Sequence, residues 1–277
     1  MRTYASDRWI ENRPTAGWRA LDLAELWAYR ELVAFLALRD LKVRYKQAAF
    51  GVAWAVLQPL AGLAVFTLVF HKLARVPSDE IPYPAFAFLG FSVWSYLSAT
   101  LNSAMTSLVG NAPLITKVYF PRLAAPLAAL LPGLVDLSIA FGPLTALMLW
   151  YRVVPGLALV ALPICVAALI AVALGAGLLL TTLNVRYRDI RQASGLVIQL
   201  WFFASPVAYP SSLVHEGWRW LYALNPMVGV IDTFRWCVLR GPAPGAANLV
   251  SLASGALLLL AGVACFQRGE RRFADII

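Results

Sequence analysis

Residues 223–241 read ALNPMVGVIDTFRWCVLRG, and how this stretch is read decides the fold. It lies between two runs apolar enough for lipid, yet it carries Pro226, Asp232, Arg235 and Arg240. From Met227 the apolar residues fall at Met227, Val230, Ile231, Phe234, Cys237 and Val238, the spacing of one helical face. Asn225 is suited to cap that helix and Pro226 to occupy its first position. Asp232 and Arg235 stand three apart and can pair, which lowers the cost of bringing either near lipid. A shorter helical stretch precedes it, about 212–223, with Trp218, Trp220 and Tyr222 suited to a membrane interface. Two short helices joined at a proline break do not cross a bilayer by themselves. They either dip inward, where other protein or a water-filled cavity must cover the break, or lie flat on the surface.

The composition sets the surroundings of this hairpin. Of 277 residues, 61% are hydrophobic and 13% charged. That charge content is about half the usual share for a soluble domain, so an all-α integral membrane protein is expected. A span needs about 20 apolar residues. Six stretches qualify: about 48–73, 85–110, 124–150, 157–183, 191–209 and 247–267. The fifth is the shortest and stops at SPVAYP, residues 205–210. Asp136 is the one carboxylate well inside a span, a candidate for function or for a hydrogen bond to a neighbouring helix.

Charge fixes the expected orientation. With the N-terminus inside, the inner segments hold nine Lys and Arg before residue 48, then Lys117 and Arg122. Arg186, Arg188 and Arg191 follow, and then Arg268, Arg271 and Arg272, which makes seventeen of the 23 basic residues. Both termini are therefore expected in the cytoplasm and the hairpin outside. The first residues show no apolar core with a small-residue cleavage site, so no signal peptide is expected. The three cysteines, Cys165, Cys237 and Cys265, have no metal-like spacing and read as packing residues.

Residues 25–46 read as an amphipathic interface helix, with Leu32, Phe35 and Leu36 as its apolar patch. Arg30, Arg39, Lys42, Arg44 and Lys46 form its basic side, which suits a helix lying in the headgroup plane. The inner turn NAPLITKVYFPRLAAP, residues 111–126, carries Ile115, Val118, Tyr119 and Phe120 among prolines and basic residues. These residues either dock another protein or dip back into the interface. No phosphate loop, H-E-x-x-H or G-x-S-x-G occurs, and there are only two histidines. Catalysis, a bound metal and nucleotide hydrolysis by this chain alone are not expected.

Six short strings in matching order carry a family resemblance. They are RDLKVRYKQAAFGVAWAVLQPL (39–60), PLITKVYFPR (113–122), NVRYRDIR (184–191), SPVAYP (205–210), LNPM (224–227) and RFADII (272–277). The chain resembles the permease subunits of type 2 ABC exporters for O-antigen, teichoic acid and related surface polysaccharides. The resemblance implies a single permease domain over 1–277, six spans, and two re-entrant outer-gate helices over about 210–240. It implies a homodimer working with two copies of a separate ATPase, which binds the ATP and magnesium, in the bacterial inner membrane. The substrate implied is a polysaccharide linked to undecaprenyl pyrophosphate, and nucleic acid is not an expected partner. Other type 2 substrates, namely teichoic acid, capsule, a lipid or a drug, stand as alternatives, and a membrane-embedded glycan-modifying enzyme is a more distant one.

Site residues follow from that frame. Sugars stack on aromatic faces, so the channel candidates are Trp54, Phe88, Phe91, Trp94, Tyr96, Trp201, Phe202 and Phe203. The outer-gate candidates are Tyr209, Trp218, Trp220, Asn225, Pro226, Asp232 and Arg235. Arg39, Lys42, Arg44 and Lys46 are candidates to meet the lipid pyrophosphate, or else are ordinary positive-inside charge. The ATPase-facing positions implied are the interface helix and Ile115, Lys117, Val118, Tyr119, Phe120 and Arg122.

Overall fold

A computed structural model describes residues 23–46, 53–187 and 189–276; the side chains at 23, 54, 55, 271, 272 and 274–276 are outside that description. Among the described residues every regular element is helical. The chain starts with α1 (Leu23–Ala28) and α2 (Arg30–Lys46), followed by α3 (Ala53–Phe66), which continues as a π-helix over Thr67–Leu73. Then come α4 (Tyr83–Gly110), α5 (Ala112–Ile115), α6 (Ala124–Ala128) and α7 (Leu130–Trp150). A 3-10 turn (Leu157–Ala161) leads into α8 (Leu162–Arg186) and α9 (Ile190–Phe203). The hairpin is α10 (Glu216–Tyr222) and α11 (Pro226–Leu239), and α12 (Ala246–Ile276) completes the chain.

Five helical stretches are long and apolar enough to cross a membrane: Val56–Leu73, Tyr83–Gly110, Ala124–Trp150, Leu157–Arg186 and Ala246–Glu270. The sixth expected span, 191–209, contains a helix of only 14 residues. At 1.5 Å per residue α9 covers about 21 Å, short of the ~30 Å hydrocarbon core. The backbone leaves the helix at Ala204, and Ser205, Pro206, Val207, Ala208 and Pro210 run on as buried, non-helical chain.

α4 forms the centre of the bundle. Phe86, Phe88, Leu89, Val93, Leu97 and Leu101 on it are all fully enclosed, packed by α3, α7, α8 and α11. Several hydroxyls on and beside it bond to helix carbonyls. Ser92 donates to the Phe88 carbonyl (2.7 Å), and Thr181 of α8 donates across to the Ala104 carbonyl (2.8 Å). α8 and α12 cross at their glycines: a Cβ on Gly262 would lie 2.2 Å from the Gly175 carbonyl oxygen. Only small residues permit two helix backbones that close.

Side-chain bonds tie segments together at the two ends of α4. At the Asn111 end, Arg39 of α2 donates to Asn111 Oδ1 (2.8 Å) and Asn184 donates to the Met105 carbonyl (3.0 Å). On the turn that follows, Arg122 donates to the Glu270 carbonyl of α12, and Tyr119 donates to Glu25 of α1 (3.2 Å). At the Tyr83 end, the Tyr83 hydroxyl donates to the Ala208 carbonyl (2.9 Å), and Ser212 donates to Asp79 (2.7 Å).

α2 packs Leu36 and Ala37 against Ala128 of α6. Phe35 departs from the expected patch: it is 64% exposed, with Leu38 and Lys42 on the same outward side. Two positions apart on a helix face in different directions, so Phe35 and Ala37 cannot both turn inward. The side of α2 away from the bundle is thus mixed apolar and basic rather than purely basic.

Candidate functional site

A cavity of about 790 Å³ lies between α2, α3, α4, α7 and α9. One wall is aromatic. Phe66 of α3, Phe91 and Trp94 of α4, and Phe202 of α9 form a continuous set, with Phe202 5.8 Å from Phe66 and 5.5 Å from Trp94 between ring centroids. Gly62 makes room for it, since a Cβ there would lie 2.8 Å from the Phe91 ring. Other lining residues are polar: Gln58, Ser95, Ser98, Asn102 and Gln199. Of these, Ser95, Ser98 and Asn102 recur at helical spacing along α4. Polar side chains at membrane depth need water, ligand or protein beside them, and an aromatic face with hydroxyl and amide groups is the surface a sugar ring can use.

At one end of the cavity the polar residues become charged. Arg44 and Tyr45 of α2 both reach Asp136 of α7, Arg44 donating to one carboxylate oxygen and the Tyr45 hydroxyl to the other. All three line the cavity, and the Arg44 and Asp136 side chains remain 32% and 25% exposed. Burial pushes the Tyr45 phenol up from its ordinary range and the bond to Asp136 adds to the shift, so it stays a proton donor.

The expected channel residues divide. Phe91, Trp94, Tyr96, Phe202 and Phe203 line the cavity. Phe88 does not; it is fully buried in the core. Trp201 sits behind the wall, edge-on to Trp94 (6.0 Å), and donates to Asn225 (2.8 Å). The Trp54 side chain lies outside the described residues. Periodicity alone could not separate these cases, because the direction of a ring depends on neighbours that meet only in the folded bundle. The polar residues Gln58, Ser95, Ser98, Asn102 and Gln199, and Tyr45 beside Asp136, were missed from sequence; the Ser95–Ser98–Asn102 spacing was the available signal.

The hairpin residues satisfy the chain where α9 stops. Asn225 accepts from Met227 N (3.0 Å) as the cap of α11, and its amide donates to the Ala204 carbonyl (2.8 Å). Arg235 is 3% exposed and donates from Nη2 to the Val207 carbonyl (2.9 Å), with its guanidinium 3.4 Å from the Phe86 ring centroid. Tyr209 donates to the Phe203 carbonyl (3.0 Å) and accepts from Tyr222 (3.1 Å). With Tyr83 on Ala208, the carbonyls of residues 203, 204, 207 and 208 all have side-chain donors. This is how non-helical backbone persists in an apolar setting. Asp232 lies 3.7 Å from Arg235 and accepts a closer bond from Ser211 (2.6 Å). Pro226 occupies the first turn of α11, and Trp218 and Trp220 are exposed on α10.

The basic candidates on α2 also separate. Arg39 is held by Asp40 and Asn111, Arg44 by Asp136, and Lys42 and Lys46 are exposed. On the turn after α5, Lys117, Val118 and Tyr119 are exposed and Ile115 is half-buried. Phe120 is buried at 4% exposure and Arg122 is engaged by the α12 carbonyl, so the presented surface is narrower than the sequence suggested. Among the described residues no group of His, Cys, Asp and Glu is arranged to hold a metal ion.

A helical, multi-pass chain with an aromatic and polar cavity among its apolar helices has the makings of the membrane-embedded part of a transporter. The family pattern described as ABC-2 type transporter matches residues 31–239, and the chain belongs to that family. It is similar to O-antigen export system permease proteins RfbA. That of Myxococcus xanthus is 29% identical over 257 residues, covering 91% of this chain and 98% of the relative. That of Klebsiella pneumoniae is 27% identical over 249 residues, covering 89% and 95%. The polysialic acid transport protein KpsM of Escherichia coli is 24% identical over 246 residues, covering 86% and 93%.

Proposed function

We propose that this chain is the channel-forming subunit of an ATP-driven exporter that moves an undecaprenyl-pyrophosphate-linked, O-antigen-like polysaccharide outward across the bacterial inner membrane. The observation that carries the reading is the cavity, whose aromatic and polar lining lies in a chain otherwise built for lipid. Relatives named for O-antigen export over about nine-tenths of the chain support the substrate class. The two polysialic acid transport relatives favour capsule as the second reading within the same mechanism.

The whole of 1–277 acts as one permease domain with six crossings and both termini in the cytoplasm. Two observations support the sixth crossing. Trp201 lies beside Trp94 midway along α4, and Ala208 lies at Tyr83, the far end of that helix from Asn111. The chain from Ile190 to Pro210 thus completes as buried coil what α9 begins as helix. The hairpin of α10 and α11 caps the outer end as a re-entrant gate. Two copies pair with two ATPase subunits, which bind ATP and magnesium and dock on α1, α2 and the exposed part of the turn at Lys117–Tyr119.

Isolation of the chain in mild detergent is expected to bring down an ABC ATPase in equal amount. Cells lacking the chain are expected to accumulate the lipid-linked polysaccharide on the inner face. A chain that isolates alone and turns over a glycan by itself would overturn the reading.

A further inference from the structure

We propose that Asp136 and the diphosphate of the substrate compete for the same two donors, Arg44 and Tyr45, at the charged end of the cavity. Displacement of Asp136 then frees the end of α2 from α7 and opens the cavity to the substrate. The inference rests on the reading of the chain as an exporter of a diphosphate-linked glycan, and it narrows the four basic candidates on α2 to one.

Three features of the cluster carry it. First, Arg44 and Tyr45 are consecutive residues in the last turn of α2, and their side chains converge on the two oxygens of a single carboxylate. A guanidinium N–H beside a phenolic O–H receives phosphate oxygens as readily as carboxylate oxygens. A guanidinium has five donors, and the bond to Asp136 engages only Nη1. Second, the group is not sealed. Arg44 and Asp136 keep a quarter to a third of their side-chain surface exposed, and all three residues line the cavity. A partly exposed pair is weakened by water and ions and is within reach of a competing anion in the cavity. Third, the charges set an order of affinity. A carboxylate offers one negative charge and a diphosphate diester two, so the diphosphate is the stronger competitor at equal distance. Lys42 and Lys46, exposed on the same helix, add a field that favours the approach of an anion. While Asp136 holds Arg44 the pair is neutral, which disfavours weaker, singly charged anions.

The other basic candidate with a fixed position, Arg39, is already bonded to Asp40 and Asn111 and does not line the cavity. A diphosphate at Arg44 leaves the attached glycan facing the serine and asparagine residues of α4 and the rings of Phe91, Trp94 and Phe202. The two chemistries of the cavity thus match the two parts of one substrate.

The test is a titration of the full chain, purified in detergent with its ATPase partner, with farnesyl diphosphate as the probe. Inorganic pyrophosphate and vesicles of anionic phosphatidylglycerol are run in parallel. Asp136→Asn is expected to tighten farnesyl diphosphate binding, and Arg44→Gln to weaken it about tenfold or more. In the double variant the gain from Asp136→Asn is expected to vanish, since the carboxylate acts only through Arg44. Tyr45→Phe keeps the ion pair and is expected to weaken binding several-fold while lowering the thermal midpoint less than Arg44→Gln does. It serves if either charge variant fails to fold. Unchanged or weaker binding in Asp136→Asn, or no loss in Tyr45→Phe, overturns the inference while leaving the transport reading intact. Failure of the wild-type complex to bind farnesyl diphosphate overturns both. Inorganic pyrophosphate is expected to compete, and phosphatidylglycerol competing equally well would reassign the cluster to a lipid headgroup and overturn the diphosphate assignment.

Discussion

Arg235 and Asn225 turn a stretch that looks too polar for its surroundings into a fastening for the end of α9. Arg235 supplies the Val207 carbonyl with a donor and covers the Phe86 ring, and the charge on it is offset by Asp232. Arg235→Leu leaves that carbonyl without its donor in a buried site, and a loss of about 2–4 kcal/mol is expected, read as a lower thermal midpoint in detergent. Arg235→Lys keeps the charge but not the planar reach and is expected to recover only part of the loss. Full recovery would mean that charge alone matters. Asn225→Ala is expected to cost about 1 kcal/mol for the cap, with a further loss for the bonds to Trp201 and Ala204. Asn225→Asp keeps the cap and the Trp201 bond but cannot donate to Ala204, so an intermediate midpoint is expected. The sequence made Asn225 legible as a cap and Arg235 as a partner of Asp232. It did not reveal that both serve carbonyls of residues 204–207, because those bonds join positions more than 20 apart.

Among the elements, the contact of α8 with α12 has the narrowest tolerance. Gly262→Ala would set a methyl group against the Gly175 carbonyl, a backbone atom that cannot rotate away. Separation of the helices is expected to cost at least about 1–3 kcal/mol, measured as lower yield of folded protein and a lower midpoint. Gly142→Ala in α7 is the control, because a Cβ there meets nothing within 4 Å; a change within about 0.5 kcal/mol is expected. Equal loss in the two variants would show that the crossing is not responsible, since the exchange of Gly for Ala by itself favours a helix. The long apolar helices were legible because spanning length is a property of composition. α9 was legible as apolar but not as short, since its apolar run continues through residues 204–208, where the carbonyls of 204, 207 and 208 are met by side chains from other segments.

For the whole molecule, the arrangement of charge makes a prediction about sidedness. With the native cysteines replaced, Val118→Cys on the exposed inner turn is expected to react with a membrane-impermeant maleimide only in inverted vesicles. Leu213→Cys, exposed beside the hairpin, is expected to react in intact spheroplasts. The opposite pattern would invert the proposed topology. The sequence by itself determined that the chain is helical and membrane-embedded, where most crossings lie, and that a capped amphipathic helix starts within LNPM. These features depend on local composition and periodicity, which lipid enforces on each segment separately. Only the tertiary structure decided which rings face the cavity, that Asp136 meets Arg44 and Tyr45, and that α9 ends midway with its chain supported by the hairpin. Each of those is a meeting of side chains from separate helices, and hydrocarbon around a helix sets no preference among its neighbours, so packing and long-range hydrogen bonds make the choice.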